Sequence, residues 1–171
     1  MSEKDTTTSS APTPAPSPME LVLQFHHTYS VPIRPFSDPT LDYERMNMRM
    51  SLIAEEFAEL MGAVYGPRAR AIIEAATAEA VATDEGERDV IEAADALADL
   101  VYVVYGMAIE SGMNLDSVLA EVQASNLSKL MPDGSVKLRE DGKVLKGPNF
   151  FQPNIARGLG LESPTDGSDA D

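Results

Sequence analysis

Over residues 96–108 the chain reads ALADLVYVVYGMA, a helix-length run that is apolar on every side and carries one charged group, Asp99. An isolated ionised carboxylate held away from water costs several kcal/mol, so Asp99 calls for a cation, a hydrogen-bonding cluster or a proton. No Lys or Arg lies between Arg88 and Lys129, which excludes local ion pairing. The segment therefore points to a site.

At 100° per residue Glu92, Asp95 and Asp99 fall within roughly a 60° arc of one helix face. Leu100 and Val103 lie on the same side and would be exposed if Asp99 simply faced water. A second acidic set lies upstream in LIAEEFAELMGAV, residues 52–64. There Glu55, Glu56 and Glu59 share an arc of roughly 100°, with Ile53, Phe57, Leu60, Met61 and Val64 clustered opposite. Taken alone, this second pattern also describes an ordinary solvated surface helix. If the two stripes face each other, like charges about 5 Å apart repel by roughly 3 kcal/mol per pair at an effective dielectric near 20. A neutralising group is then required.

Carboxylates are hard oxygen ligands, so the neutraliser that fits them is Mg²⁺ (or Mn²⁺), which keeps waters and completes its shell with substrate phosphates. Zinc is disfavoured: the chain has no Cys, and its histidines, His26 and His27, are adjacent and point apart on a helix. Two or more such ions between facing helices would clamp a phosphate chain, activate a water and stabilise a leaving oxygen.

These residues resemble the all-α nucleoside triphosphate pyrophosphohydrolases, which include MazG-like enzymes, phosphoribosyl-ATP pyrophosphohydrolase and dimeric dUTPases. The EExxE pattern is Glu55, Glu56 and Glu59, an ExxD pattern appears as Glu92 and Asp95, and DLVYVVYG, residues 99–106, looks like the aspartate-led helix of that group. EVQASNLSK, residues 121–129, and EDGKVLKGPNF, residues 140–150, are similar to the tail of the phosphoribosyl-ATP pyrophosphohydrolase-like branch, which includes MazG-like dUTPases. The resemblance covers roughly residues 21–155. One departure is visible: many members place a Glu three residues before the aspartate of the DLxY segment, where this chain has Ala96. The working pair is then either Asp95 with Asp99 or Glu92 with Asp95.

The resemblance implies that water attacks the α-phosphorus of a nucleoside triphosphate, giving the monophosphate and pyrophosphate, with dUTP the leading substrate. It further implies that Glu56, Glu59 and the downstream acids hold Mg²⁺, that Glu55 shares a metal or helps orient and deprotonate the attacking water, and that the protein is a homodimer or homotetramer. Hydrolysis of phosphoribosyl-ATP or of assorted noncanonical triphosphates is the alternative within the enzyme class. A non-catalytic helical metal-binding or dimerisation module is the alternative outside it.

A triphosphate also needs cations from the protein. Of the thirteen Lys and Arg residues, Lys129, Lys137, Arg139, Lys143, Lys146 and Arg157 lie at or beyond the end of the last expected helix. Residues 131–153, rich in Gly, Pro, Asp and Asn, read as a loop or lid. Lys129, Arg139, Lys143 and Lys146 are the candidate phosphate contacts, against a plain reading as solubilising charge. Asn126, three residues before Lys129 and able to face the same ligand, has the donor and acceptor atoms to read a base edge or a sugar hydroxyl. Phe25 and His26 are weaker candidates for the base, with packing the commoner role. Tyr102 and Tyr105 suit core or dimer contacts with satisfied hydroxyls, and the nine Met residues, Met46, Met48 and Met50 among them, suit gap filling.

The pattern predicts an all-α fold, a bundle of about five helices over residues 18–29, 39–65, 67–83, 85–111 and 114–131. Gly66, Pro67 and Gly112 mark breaks, and Asp116 is placed to begin the fifth helix. Residues 69–82 are Ala-rich and expected to pack shallowly or to complete a partner subunit. Residues 1–18 are expected to be disordered, 19–157 to form the domain, and 158–171 to be a loose acidic end. No segment approaches a membrane span, and the first eighteen residues lack the apolar run of a signal peptide. The absence of Cys fits a cytoplasmic protein. A net charge of −15 argues against nucleic acid or an anionic membrane as the main partner.

Overall fold

The computed structural model describes residues 15–139 and 143–162. Its elements are α1 (Pro18–Thr28), α2 (Met46–Tyr65), α3 (Pro67–Ala82), α4 (Val90–Glu110), α5 (Leu115–Leu127) and α6 (Ile155–Gly158). Among the described residues the only ladder-type pairing is an isolated bridge between Leu138 and Val144. The expected all-α class holds. The chain divides into two compact units, Arg34–Val103 on the one hand and Met1–Ile33 with Val104–Asp171 on the other.

The unit built on α5 is sealed by polar contacts that reach across the sequence. α1 starts from a capping box: Ser17 Oγ accepts from the Glu20 amide at 3.3 Å, the Glu20 carboxylate accepts from the Ser17 amide at 2.7 Å, and Pro18 sits where its missing N–H costs nothing. α1 packs on α5, where the buried Gln123 amide donates to the Leu21 carbonyl and to Gln24 Oε1, both at 3.0 Å. Tyr29, 2% exposed, donates its hydroxyl to the Asn126 carbonyl at 2.7 Å, with the Leu127 carbonyl at 3.1 Å. These belong to the terminal carbonyls of α5, which lack full intrahelical pairing. The short α6 docks on the other part of α5 because Gly158 lies directly against the Val118 backbone, and Arg157 forks onto Glu121 with two 2.7 Å bonds. That bond holds the Glu121 carboxyl below its ordinary pKa.

The unit of Arg34–Val103 is organised by the pairing of α2 with α3. Gly66, at φ 94°, makes the reversal between them in a conformation that other residues rarely adopt. Ala58 is fully buried in α2, while α3 buries no residue, in keeping with the shallow packing expected of its Ala-rich sequence.

Several expected boundaries move. α2 begins at Met46 rather than at 39, because Thr40 Oγ1 accepts from the Asp42 amide at 3.0 Å and holds the preceding segment in a turn. α4 begins at Val90 rather than at 85, since Asp89 Oδ1 accepts from the amides of Ile91 and Glu92 at 2.9 and 3.0 Å and acts as the start signal. α5 starts from Asn114, whose side chain accepts from the Ser117 amide, and not from Asp116, whose Oδ1 accepts the Tyr105 hydroxyl at 2.8 Å. α6 was not expected, being only four residues long. Ser17, assigned to the loose N-terminal tail, is instead the cap of α1, and Pro18 is its first residue, as the expected helix over 18–29 has it. Likewise 158–162 include the end of α6 and Glu162, which accepts from Asn154. The remaining tail residues, 1–14 and 163–171, lie outside the described residues.

α4 differs from every other long helix. Among the described residues, its part in the unit of Arg34–Val103 does not pack extensively on α2 or α3. Ile91, Val101, Tyr102, Val103 and Ile109 are 59–83% exposed along it. Tyr102 is thus not a core residue of the single chain, whereas the Tyr105 hydroxyl is satisfied by Asp116.

Candidate active site

The acidic residues lie on α2 and on the first part of α4, both in the unit of Arg34–Val103. Glu55, Glu56 and Glu59 project from one side of α2, and all of them are exposed. Glu92, Asp95 and Asp99 occupy the first three turns of α4 and are exposed as well. The expectation that Asp99 lies in a low-dielectric interior is therefore corrected for the single chain. Its helix is apolar all round, as read from the sequence, but among the described residues of its own unit Asp99 stands exposed.

The expectation that the two acidic ridges meet is corrected in the same way. Among the described residues no group of three or more Asp, Glu, His or Cys side chains stands close enough to hold a metal ion. The donor chemistry nevertheless fits a hard divalent cation: the candidate set is made wholly of carboxylates, and the chain offers no thiol. The residues fit Mg²⁺ or Mn²⁺ in kind, and one copy of the chain does not by itself assemble them.

Arg70 reaches the acidic face from α3. It places Nη2 3.2 Å from Glu59 Oε1 and Nε 2.8 Å from Glu74 Oε1. Gly62, one turn after Glu59, makes the approach feasible, since a Cβ there would stand 3.1 Å from Arg70 Cβ. This residue escaped the sequence reading because its partner on α2 is on a different helix. The one available signal was the glycine in α2, a residue that costs a helix stability unless something packs close to it.

The nitrogen-bearing candidates lie in the other unit. Asn126 and Lys129 do face the same way: the Lys129 ammonium donates to Asn126 Oδ1 at 2.7 Å. Burial, with the nearby charge of Lys146 in second place, lowers the pKa of Lys129. The segment after α5 folds back along it through the Gly147 amide, which donates to the Lys129 carbonyl at 3.0 Å, and Leu145, which donates to the Lys137 carbonyl at 2.8 Å. Gly147 is required there, because a Cβ would run into the Leu130 carbonyl. Lys146 lies over the Phe150 ring, 4.3 Å from its centroid, a contact the sequence reading also missed. Arg139 and Lys143 are joined through the backbone, Arg139 N donating to Lys143 O at 2.8 Å.

Phe25 and His26 take the packing role. The Phe25 ring lies tilted against that of Tyr29, their centroids 4.6 Å apart, and His26 Nδ1 lies 3.1 Å from the Pro32 carbonyl.

An all-α chain with the EExxE set on α2 and the aspartate-led segment on α4 belongs to the class of all-α nucleoside triphosphate pyrophosphohydrolases. The phosphoribosyl-ATP pyrophosphohydrolase family matches residues 22–126, well over half of the chain, and the chain belongs to that family. It is a nucleotide pyrophosphohydrolase, and the reading as a non-catalytic module is set aside. The matched stretch contains every acidic candidate and Asn126 but stops before Lys129. Among solved structures the chain is similar to that of a "putative NTP pyrophosphohydrolase" from Exiguobacterium sp. 255-15, with 28% identity and a TM-score of 0.64 over 84% of this chain and 94% of that one. No curated protein matches. No helix among the described residues is long and apolar enough to cross a membrane.

Proposed function

We propose that this chain is a Mg²⁺-dependent nucleoside triphosphate pyrophosphohydrolase with dUTP as leading substrate, and that it works as a homodimer in which a second copy covers α4. The observation that carries the reading is the coincidence on α4 of an uncovered apolar surface with Glu92, Asp95 and Asp99. An exposed apolar surface of this kind marks an interaction site. A helix with this much exposed apolar surface among the described residues, bearing part of the acidic set, is best completed by another copy of the chain.

In this mechanism water attacks the α-phosphorus, the bond from that phosphorus to the bridging oxygen breaks, and pyrophosphate leaves the nucleoside monophosphate. Glu55 orients the water and takes its proton. Glu56, Glu59, Asp95 and Asp99, with Glu92, would hold the divalent ions. When bound, such ions neutralise phosphate charge and make a water more acidic. Lys129 and Lys146, with Arg139 and Lys143, contact the β- and γ-phosphates, and Asn126 reads the base or sugar. The preference for dUTP rests on the likeness of SNLSK and DGKVLKGP to the tails of MazG-like dUTPases. The name of the matching family favours phosphoribosyl-ATP as the second reading.

Pyrophosphate release measured over dUTP, the other nucleoside triphosphates and phosphoribosyl-ATP, with and without Mg²⁺, tests the proposal. Turnover is expected only with Mg²⁺ and fastest on dUTP. Asp99→Asn and Glu56→Gln are each expected to lower it at least about 100-fold while leaving the helical content intact, since each removes a direct metal ligand. Full turnover in both variants, or in the absence of any divalent cation, contradicts it.

A further inference from the structure

We propose that Arg70 is a resident counter-ion for Glu59 that yields this carboxylate to an incoming divalent cation by falling back on Glu74. The inference rests on the metal role of Glu59 given above and adds a residue and a sequence of contacts to it. The two contacts of the guanidinium are unequal. Nε is hydrogen-bonded to Glu74 Oε1 at 2.8 Å, within α3, while Nη2 reaches over to Glu59 Oε1 on α2 at the longer distance of 3.2 Å. Giving up Glu59 therefore breaks the weaker contact and leaves the stronger one in place.

The setting suits an exchange rather than a lock. Arg70, Glu59 and Glu74 have side chains 43%, 49% and 51% exposed, so each partner can be rehydrated when the pair opens. Arg70 cannot respond by losing its proton, because a guanidinium stays charged. It must instead change partners, and Glu74 lies one helical turn further along α3 on the same face. The stem of Arg70 stays in place throughout, lying across Gly62 one turn from Glu59. In the absence of a cation Arg70 thus lowers the like-charge repulsion between Glu59 and its neighbours Glu55 and Glu56 on the α2 face. In its presence Arg70 competes with the cation for one carboxylate.

This predicts opposite signs for two charge-removing substitutions on one helix. Binding of Mn²⁺ to the full-length protein, followed by the loss of the free-ion paramagnetic resonance signal, is the readout. Arg70→Gln removes the competitor and is expected to tighten Mn²⁺ binding by about two- to five-fold, the range that exposed ion pairs support. Glu74→Gln removes the fallback, leaves Arg70 more firmly on Glu59, and is expected to weaken binding by about the same factor. The double variant is expected to match Arg70→Gln alone, because Glu74 acts only through Arg70. Circular dichroism confirms that each variant keeps its helices.

Two effects of the same sign overturn the proposal, as does a Glu74→Gln effect that persists when Arg70 is already Gln. No Mn²⁺ binding by the unaltered protein overturns the metal reading of Glu59 and this proposal with it. Wild-type binding combined with the wrong pattern in the variants overturns this proposal alone.

Discussion

The helix α5 and the helix α4 are neighbours in sequence, yet they are finished in different ways. α5 receives α1 and α6, its buried Gln123 and Ser125 are hydrogen-bonded to distant backbone, and Tyr29 covers its terminal carbonyls. α4 has a richer apolar composition, and Ile91, Val101, Tyr102, Val103 and Ile109 stand exposed along it. The difference shows that hydrophobicity alone does not locate the core of a single chain. α5 reaches burial through specific polar contacts with segments about a hundred residues away in sequence, and α4 leaves exposed the apolar surface that the proposed second copy would cover.

Substitution on α4 gives the largest expected effect that would break this contrast. Val101, 59% exposed in the single chain, can be changed to Glu at little cost to that chain, since isolated exposed sites tolerate such changes within about 0.5 kcal/mol. Under a second copy the same carboxylate is buried without a partner and should cost about 3 kcal/mol, or roughly 100-fold in association. Light scattering is expected to report a monomer with unchanged helical content. An unchanged assembly would remove α4 from the interface.

Substitution at Gly147 sharpens the contrast from the other side. Gly147→Ala forces a methyl group into the Leu130 carbonyl, which belongs to the backbone and cannot rotate away. A loss of about 1–3 kcal/mol in unfolding free energy is expected, as for overpacked interiors. The assembly state should not change. Denaturant titration together with light scattering separates the two effects. A change of assembly at full stability would show that the two regions are not independent.

Much of this architecture was legible in the sequence because it is local. Ser17 followed by Glu20, Pro67 at the start of α3 and the break at Gly66 are short-range signals, and the observed helices follow them. The face of α2 that carries Glu55, Glu56 and Glu59 follows from helical periodicity alone. The boundary errors at α4 and α5 arise from side-chain caps that compete at neighbouring positions, and the one at α2 from the turn held by Thr40. Asn114 and Asp116 are equally good caps on paper, and the selection depends on Tyr105 engaging Asp116.

What was not legible depends on contacts between segments. Arg70 on Glu59, Lys146 on Phe150 and Tyr29 on the end of α5 join residues with no fixed spacing. The exposed state of Asp99 belongs to the same class. The sequence states that its helix is apolar, and says nothing of whether the covering surface comes from the same chain or from another.

The claim that a second copy covers α4 and completes the acidic site is tested most directly by measuring Mn²⁺ binding and molecular mass together over a protein dilution series. The account predicts that ion binding rises and falls with the dimer fraction and is lost as monomer accumulates. Mn²⁺ bound with undiminished affinity by the monomer would contradict it.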